Sequence, residues 1–123
     1  MEIKLELITH MNLSEIKQLL DAEYLWDSKN DPEIAFIMGS DMMSDVLAHT
    51  EPRSLLVTGL ISTQTVRTAD VADIAGVIYV RGKLPDQQTV DLATELGIPL
   101  LSTKLGMFDV CGILHSSGLK GAC

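Results

Sequence analysis

The chain has 123 residues and a formal net charge of −8, with only nine Lys and Arg residues. This acidic balance argues against nucleic acid or an anionic membrane as the main partner, because both need clustered basic residues. No apolar run reaches the roughly 20 residues that cross a bilayer, and the charged opening residues are not typical of a signal peptide. We therefore expect a cytoplasmic protein with a single domain over 1–123, a core at about 12–118 and a loose tail at 119–123.

The first third of the chain predicts two strands and a helix between them. Met1–Ile8 alternates apolar and charged residues, which is typical of a half-buried strand. Asn12 followed three residues later by Glu15 is a capping box, and it predicts the start of a short helix. A weak strand is predicted at Glu23–Trp26, before a turn of Asp, Ser, Asn and Pro residues.

An apolar run at Ile34–Met38 predicts the next strand, which ends at Gly39. Ser40 or Asp41 is then expected to cap a helix. That helix ends before Pro52, because a residue preceding proline leaves the helical region.

Three apolar, β-rich runs and two helix-length segments alternate in the second half of the chain. The runs are Leu55–Thr58, Val77–Val80 and Ile98–Leu101, and the second helix has Asp86 at its start and Gly97 at its end. This alternation is typical of a parallel sheet, and a last helix with Met107 to Leu114 on its apolar face packs back on it. We predict an α/β fold of three layers with a mainly parallel central sheet, plus a short N-terminal strand.

Small, polar and basic residues follow the predicted parallel strands. In open α/β sheets, ligands bind outside the carboxyl ends of the strands. The candidate ligand-binding residues are Gly39, Ser40, Asp41, Thr58, Gly59, Arg81, Gly82, Ser102 and Thr103. Arg81 could hold a phosphate with two parallel hydrogen bonds, and Lys83 or Lys104 could add a point charge. The alternative is that these are ordinary turns and helix caps.

Other chemical motifs are weak. Neither a P-loop nor a G-x-G-x-x-G stretch occurs, so we predict no ATP-hydrolysing or dinucleotide-oxidising core. Cys111 and His115 share a helix face, but one pair is not a metal site. Iron–sulfur clusters generally need four cysteines, and this chain has Cys111 and Cys123. It could contribute to a cluster only by sharing one across a dimer, so we predict no cofactor.

A Ser-Asp-His arrangement of Ser40, Asp45 and His49 can be imagined, since Asp45 and His49 share a helical face. No G-x-S-x-G nucleophile elbow is present, however. A solvated helix face or a cap is the better explanation of these residues, and we predict that the protein is not an enzyme.

Four stretches resemble the DRTGG domain family, including the N-terminal domain of HPr kinase/phosphorylase and modules attached to CBS domains and phosphotransacetylases. They are GSDMMSDV at 39–46, LVTG at 56–59, AGVIYVRG at 75–82 and ELGIPLLST at 95–103. The resemblance covers 12–118. It implies an HPr-kinase-N-domain-like α/β fold without a kinase active site, and a tendency to dimerise. In CBS-linked members it implies a regulatory role around adenine nucleotides, and small free-standing members are similar to proteins found beside iron-only hydrogenase components.

Two function hypotheses follow. The first is a non-enzymatic regulatory module that binds a small anionic ligand, such as an adenine nucleotide, at the carboxyl edge of the sheet. The second is a homodimeric accessory protein of a redox complex, such as an iron-only hydrogenase.

Overall fold

The computed structural model describes residues 10–122, which contain eight strands and five helices. The strands are β1 (Met11–Asn12), β2 (Glu23–Trp26), β3 (Glu33–Ile34), β4 (Phe36–Gly39), β5 (Ser54–Thr58), β6 (Gly76–Tyr79), β7 (Leu100–Ser102) and β8 (Lys120–Gly121). The helices are α1 (Leu13–Leu19), α2 (Met43–His49), α3 (Thr63–Val71), α4 (Gln87–Leu96) and α5 (Met107–Ser116).

A six-stranded sheet with the order β2-β7-β6-β5-β4-β8 forms the centre of the protein. Its five strands from β7 to β8 pair in parallel, and β2 pairs antiparallel with β7 at one end of the sheet. The mainly parallel sheet is therefore confirmed. Parallel strands of this kind need both faces covered, which explains why β5 and β6 are buried along their whole length.

Alternate residues of each strand enter two separate hydrophobic cores. On β5, Leu55 and Val57 pack with α1 and α5, whereas Leu56 packs with α2, α3 and α4. On β6, Ile78 joins the first core and Val77 joins the second. The period of two along each strand thus produces the predicted three layers, with the sheet in the middle.

Helix signals in the sequence are confirmed at α1 and α4. The Glu15 carboxylate accepts a hydrogen bond from the Asn12 backbone N–H at 2.9 Å, as a capping box requires. The Asp86 carboxylate caps α4 by accepting from the Thr89 backbone N–H at 2.9 Å. Gly97 closes α4 with a left-handed φ of 76°, a conformation that glycine adopts without steric cost.

The predicted cap of α2 is wrong. Met42 is the capping residue, and Ser40 and Asp41 lie outside the helix. The Ser40 Oγ accepts from the Met42 backbone N–H at 2.9 Å, so it supports the turn before the helix. Asp41 points to the next strand instead, as described below.

The predicted loose tail is wrong for residues 119–122. Leu119 is 2% exposed and packs in the core formed with α1 and α5. Lys120 and Gly121 form β8, which pairs in parallel with β4, and the Ala122 backbone N–H donates to the Ile37 carbonyl at 2.9 Å. This segment is held because it continues the sheet and supplies a buried leucine. Cys123 lies outside the described residues.

The strand predicted at Met1–Ile8 also lies outside the described residues. The run at Ile34–Met38, predicted as one strand, is divided into β3 and β4 at Ala35. β3 pairs antiparallel with the two-residue β1, away from the central sheet. A side-chain cluster at this small sheet joins the Glu33 carboxylate to His10 and to Arg53, each at 2.9 Å.

The longest helices described in residues 10–122, α4 and α5, have ten residues each. A bilayer-crossing helix needs about twice that length. None of the described helices could therefore span a membrane.

Leu119 gives a test of the packed tail. We expect Leu119→Ala to lower the free energy of unfolding by about 2–3 kcal/mol, because it removes a fully buried side chain and leaves a cavity. Urea unfolding measures this change. The control is Lys120→Ala, which alters the neighbouring exposed residue and should change stability by less than about 0.5 kcal/mol. Equal stability of the two variants would contradict the packing of the tail.

Candidate ligand site at the carboxyl edge of the sheet

The parallel strands β4, β5, β6 and β7 end at one edge of the sheet, which we call the carboxyl edge. Their registers place Gly39 beside Val57, Thr58 beside Tyr79, and Tyr79 beside Ser102. The loops that follow these strands therefore start side by side. The structure brings the nine candidate residues from the sequence to this edge, although their side chains differ in what they contact.

Asp41 connects the loop after β4 with the end of β5. Its carboxylate accepts hydrogen bonds from the Thr58 hydroxyl at 2.8 Å and from the Gly59 backbone N–H at 2.7 Å. The Gly59 bond is the main cause that holds the pKa of Asp41 below its ordinary value, and Lys83 and Arg81 also lower it. The Gly59 N–H, which could otherwise serve an incoming anion, is thus already engaged by an internal carboxylate.

A tight turn after β6, formed by Val80, Arg81, Gly82 and Lys83 and called the β6 turn, carries the basic residues of the edge. Arg81 and Gly82 have left-handed φ angles of 58° and 68°, and the Lys83 N–H donates back to the Val80 carbonyl at 3.1 Å. Two further backbone bonds of 2.8 Å tie the turn to the loop after β7, from Arg81 to Leu105 and from Gly82 to Thr103. The turn is therefore held on two sides.

The two basic side chains of the β6 turn have different surroundings. The Lys83 Nζ donates to the Gly59 carbonyl at 3.2 Å, so this lysine joins the Asp41 cluster. A terminal guanidinium nitrogen of Arg81 lies near Gly59, 3.7 Å from where a Cβ on that glycine would be. Within residues 10–122, the exposed Arg81 side chain makes no hydrogen bond or ion pair, which leaves its donors open to a ligand.

The two residues predicted at the end of β7 stabilise the loops around them. The Ser102 hydroxyl donates to the Lys83 carbonyl at 3.1 Å. The buried Thr103 hydroxyl donates to the Leu20 carbonyl at 2.9 Å and accepts from the Leu105 N–H at 3.3 Å. Thr103 therefore connects the end of α1 to the carboxyl edge, and the donor of its hydroxyl is already used.

A cavity of about 420 Å³ opens at the carboxyl edge between the α1–β2 segment and the loops after β6 and β7. We call it the polar cavity. Its lining is Leu19, Leu20, Asp21, Glu23, Leu25, Gly82, Leu84, Ser102, Thr103, Lys104 and Leu105. Its volume falls in the range of small-molecule sites. Gly82 belongs to both the cavity wall and the β6 turn, so the cavity adjoins Arg81 and Lys83.

Gly39 ends β4 at the carboxyl edge, but it faces α5 and a second surface of the protein. A Cβ at this position would come within 2.8 Å of the Cys111 Sγ on α5, so glycine is needed for the close approach of strand and helix. Gly39 and Cys111 line a second depression of about 510 Å³ between α5 and the β4–β8 end of the sheet, which we call the apolar groove. Burial raises the pKa of the Cys111 thiol, which keeps it in its protonated, unreactive form.

The alternative chemistries considered from the sequence gain no geometric support. The Ser40 hydroxyl is used in its own turn with Met42, while Asp45 and His49 are exposed on α2. Within residues 10–122 no three His, Cys, Asp or Glu side chains gather as metal ligands would. Cys111 and His115 both line the apolar groove, without further ligands of this kind from the described chain.

Sequence reasoning missed the residues that form the outer wall of the polar cavity. Leu19 and Leu84 are 43% and 60% exposed, and Asp21 and Glu23 bring two carboxylates to the same cavity. The signal for Leu84 was a large apolar residue in a polar loop. The signal for Glu23 was weak, because only the antiparallel pairing of Glu23 with Ser102 brings the start of β2 to this edge.

The protein is an open α/β domain whose carboxyl edge carries polar residues and a basic turn beside a cavity. Comparison with protein families finds that the DRTGG domain profile matches residues 15–117. The chain therefore belongs to the DRTGG domain family, as the four sequence stretches predicted. Comparison with curated proteins finds no match.

Among solved structures, the chain is similar to the CBS and DRTGG domains of the regulatory region of Clostridium perfringens pyrophosphatase, complexed with the activator diadenosine tetraphosphate. The TM-score is 0.73 at 13% sequence identity. The match covers 88% of this chain and 47% of that one, so this chain spans about half the length of the regulatory region. At this identity the similarity establishes a shared fold.

Asp41 gives a test of the internal connection at the carboxyl edge. We expect Asp41→Asn to lower the free energy of unfolding at pH 7 by about 1 kcal/mol, the low end for charged hydrogen bonds because this carboxylate is partly solvated. The folded-state pKa is lowered, so the wild-type contribution is present above the ordinary carboxyl range, about pH 4, and is lost as the pH falls through the folded pKa.

Urea unfolding at pH 7 and at about pH 3 measures both effects, and the difference between wild type and variant should shrink at the lower pH. Asp45→Asn is the control, since it removes an exposed carboxylate from α2 without touching the cluster. Equal stability of wild type and Asp41→Asn at pH 7 would show that Asp41 does not hold the two loops together.

Proposed function

We propose that this DRTGG domain is a non-enzymatic regulatory module that binds a small anionic ligand at the carboxyl edge, with an adenine nucleotide as the first choice. The observation that carries the proposal is the β6 turn, which presents the Arg81 guanidinium with no hydrogen bond or close ion pair among residues 10–122, near the Asp41 carboxylate. Arginine is suited to phosphate because its planar group can donate two parallel hydrogen bonds. Lys83 adds a second positive charge from the same turn.

The choice of an adenine nucleotide is supported by the relative whose fold the chain shares, which was crystallised with diadenosine tetraphosphate. That regulatory region contains CBS domains as well, and this chain corresponds to about half of it. The ligand is therefore proposed for this chain on its own residues. In this proposal, Arg81 and Gly82 face the ligand, and Gly39 faces α5 instead. The other six candidate residues support the loops: Ser40, Asp41, Thr58, Gly59, Ser102 and Thr103.

The absence of enzymatic activity, the lack of a cofactor and the cytoplasmic location remain predictions. The protonated Cys111 thiol and the engaged Ser40 hydroxyl support a non-catalytic role, since neither is activated as a nucleophile. An association with an iron-only hydrogenase complex also remains a prediction from the family resemblance, and the relatives reported above give it no support.

Thermal unfolding with added nucleotide tests the proposal. A ligand at 100 times its dissociation constant stabilises the folded state by about 2.7 kcal/mol, so we expect ATP or diadenosine tetraphosphate to raise the melting temperature by several degrees. Arg81→Ala should remove most of this rise, and added salt should reduce it because the attraction is electrostatic.

The matched control is Arg67→Ala, which removes an exposed arginine from the middle of α3 and should leave the rise intact. The proposal fails if no adenine nucleotide stabilises the wild-type protein, or if Arg67→Ala and Arg81→Ala have the same effect.

A second candidate function is assembly as a homodimer. The specific observation is the apolar groove, whose lining includes Ile37, Met107, Leu119 and a Phe108 side chain that is 89% exposed. A large exposed aromatic beside an apolar depression is typical of an interaction surface.

Light scattering at micromolar concentration decides this question, since one chain has a mass of 13.4 kDa. We expect a mass of twice that value for wild type, and a shift toward the single-chain mass in Phe108→Asp, because a charge placed in an apolar interface disfavours association. Val71→Asp, at a position 76% exposed on α3, is the control. A single-chain mass for the wild type would exclude the dimer.

A further inference from the structure

Acidic and basic side chains lie at different sides of the polar cavity. Asp21 and Glu23 line it on the side of α1 and β2. Lys104 lines it as well. Arg81 and Lys83 flank Gly82 in the chain, and their charged groups lie outside the cavity, near Gly59 at the end of β5. A phosphate in the middle of the cavity would face two carboxylates and one ammonium, whereas a phosphate at the β6 turn would face two cations and the Asp41 carboxylate, which already accepts two internal hydrogen bonds. Electrostatics therefore places the anionic part of any ligand at the turn.

Part of the cavity lining is apolar and exposed to solvent. Leu84 and Leu19 are 60% and 43% exposed, and both line the cavity together with the half-buried Leu25. A flat ring that covers such side chains removes apolar surface from water, which is favourable in proportion to the area covered. An inorganic phosphate gains nothing from these leucines.

Asp21 and Glu23 form the acidic wall of the cavity. Their hydrogen-bonding capacity further limits the kind of ring that would bind there. Ionised carboxylates are acceptors only, so Asp21 and Glu23 favour a neutral group that carries N–H donors. An exocyclic amino group on a heterocycle meets this need, and a second anion does not. The wall thus disfavours the phosphates and favours the ring of the same molecule.

We propose that the polar cavity receives the neutral, amino-bearing heterocyclic ring of a nucleotide, packed against Leu84 and Leu19, while the phosphates lie at the β6 turn on Arg81 and Lys83. This inference rests on the proposed function and deepens it, because it names the part of the ligand that each side of the site recognises. Leu84 is then a specificity-determining residue, and Arg81 sets the affinity for phosphate.

Isothermal titration with two probes, ATP and inorganic tripolyphosphate, separates the two parts of the site. Tripolyphosphate carries the same number of phosphates but no ring. We expect the wild type to bind ATP more tightly than tripolyphosphate. In Leu84→Ala the affinity for ATP should fall about fivefold, while that for tripolyphosphate stays the same, so the ratio of the two affinities falls. In Arg81→Ala both affinities should fall about tenfold or more, and their ratio should persist.

Leu47→Ala is the matched control, since Leu47 is 52% exposed on α2 and lines none of the polar cavity. Leu84 is largely exposed, so its truncation should leave the fold intact, and circular dichroism with thermal unfolding verifies this. If Arg81→Ala weakens ATP but Leu84→Ala leaves ATP unchanged, the ring lies elsewhere and this inference is overturned, while the proposed function stands. If Leu84→Ala weakens both probes equally, the inference is also overturned. If the wild type binds neither probe, the proposed function fails and the inference fails with it.

Discussion

The parallel register of β4, β5, β6 and β7 is the constraint on which the rest of this structure depends. Both faces of the sheet are covered, and alternate residues enter two different cores. A slip by one residue would move Leu56 and Leu100 to the opposite face, together with every other inward side chain of their strands. The register is therefore fixed by the packing of both cores, and the four loops at the carboxyl edge inherit their positions from it.

The loops at the carboxyl edge are joined by polar contacts, and these contacts occupy several of their hydrogen-bonding groups. Asp41 holds the Gly59 N–H, and Lys83 holds the Gly59 carbonyl. A ligand that takes the Lys83 ammonium must compete with that carbonyl, which is neutral and bound at 3.2 Å, longer than the 2.7 Å bond from the Gly59 N–H to Asp41. A ligand that takes the Gly59 N–H must displace an ionised carboxylate, which is harder. Arg81 and Lys83 are thus the groups of the edge that a proposed anionic ligand would reach most easily.

The sequence was sufficient for the parts of the fold that follow from local patterns. Apolar runs at the positions of β5, β6 and β7, and caps such as Asp86 and Gly97, act over a few residues and were predicted correctly. The tail could not be predicted, because β8 is two residues long and depends on pairing with β4. The polar cavity could not be predicted either, since it forms only when β2 reverses direction beside β7 and brings Glu23 to Ser102.

Arg53 and Arg81 both have a left-handed backbone conformation. Comparing their side chains shows why Arg81 is the better candidate for ligand binding. Arg53 and Arg81 have φ angles of 64° and 58°, a region that costs a side-chain-bearing residue roughly 1 kcal/mol. Arg53 uses its side chain within the protein, because its guanidinium pairs with Glu33 at 2.9 Å. Arg81 lies on an equally unusual backbone, whose N–H donates to the Leu105 carbonyl at 2.8 Å, yet among residues 10–122 its guanidinium makes no ion pair of this kind. In a chain with a net charge of −8, such a group adds positive potential at the carboxyl edge, and this supports our proposal of a small anionic ligand.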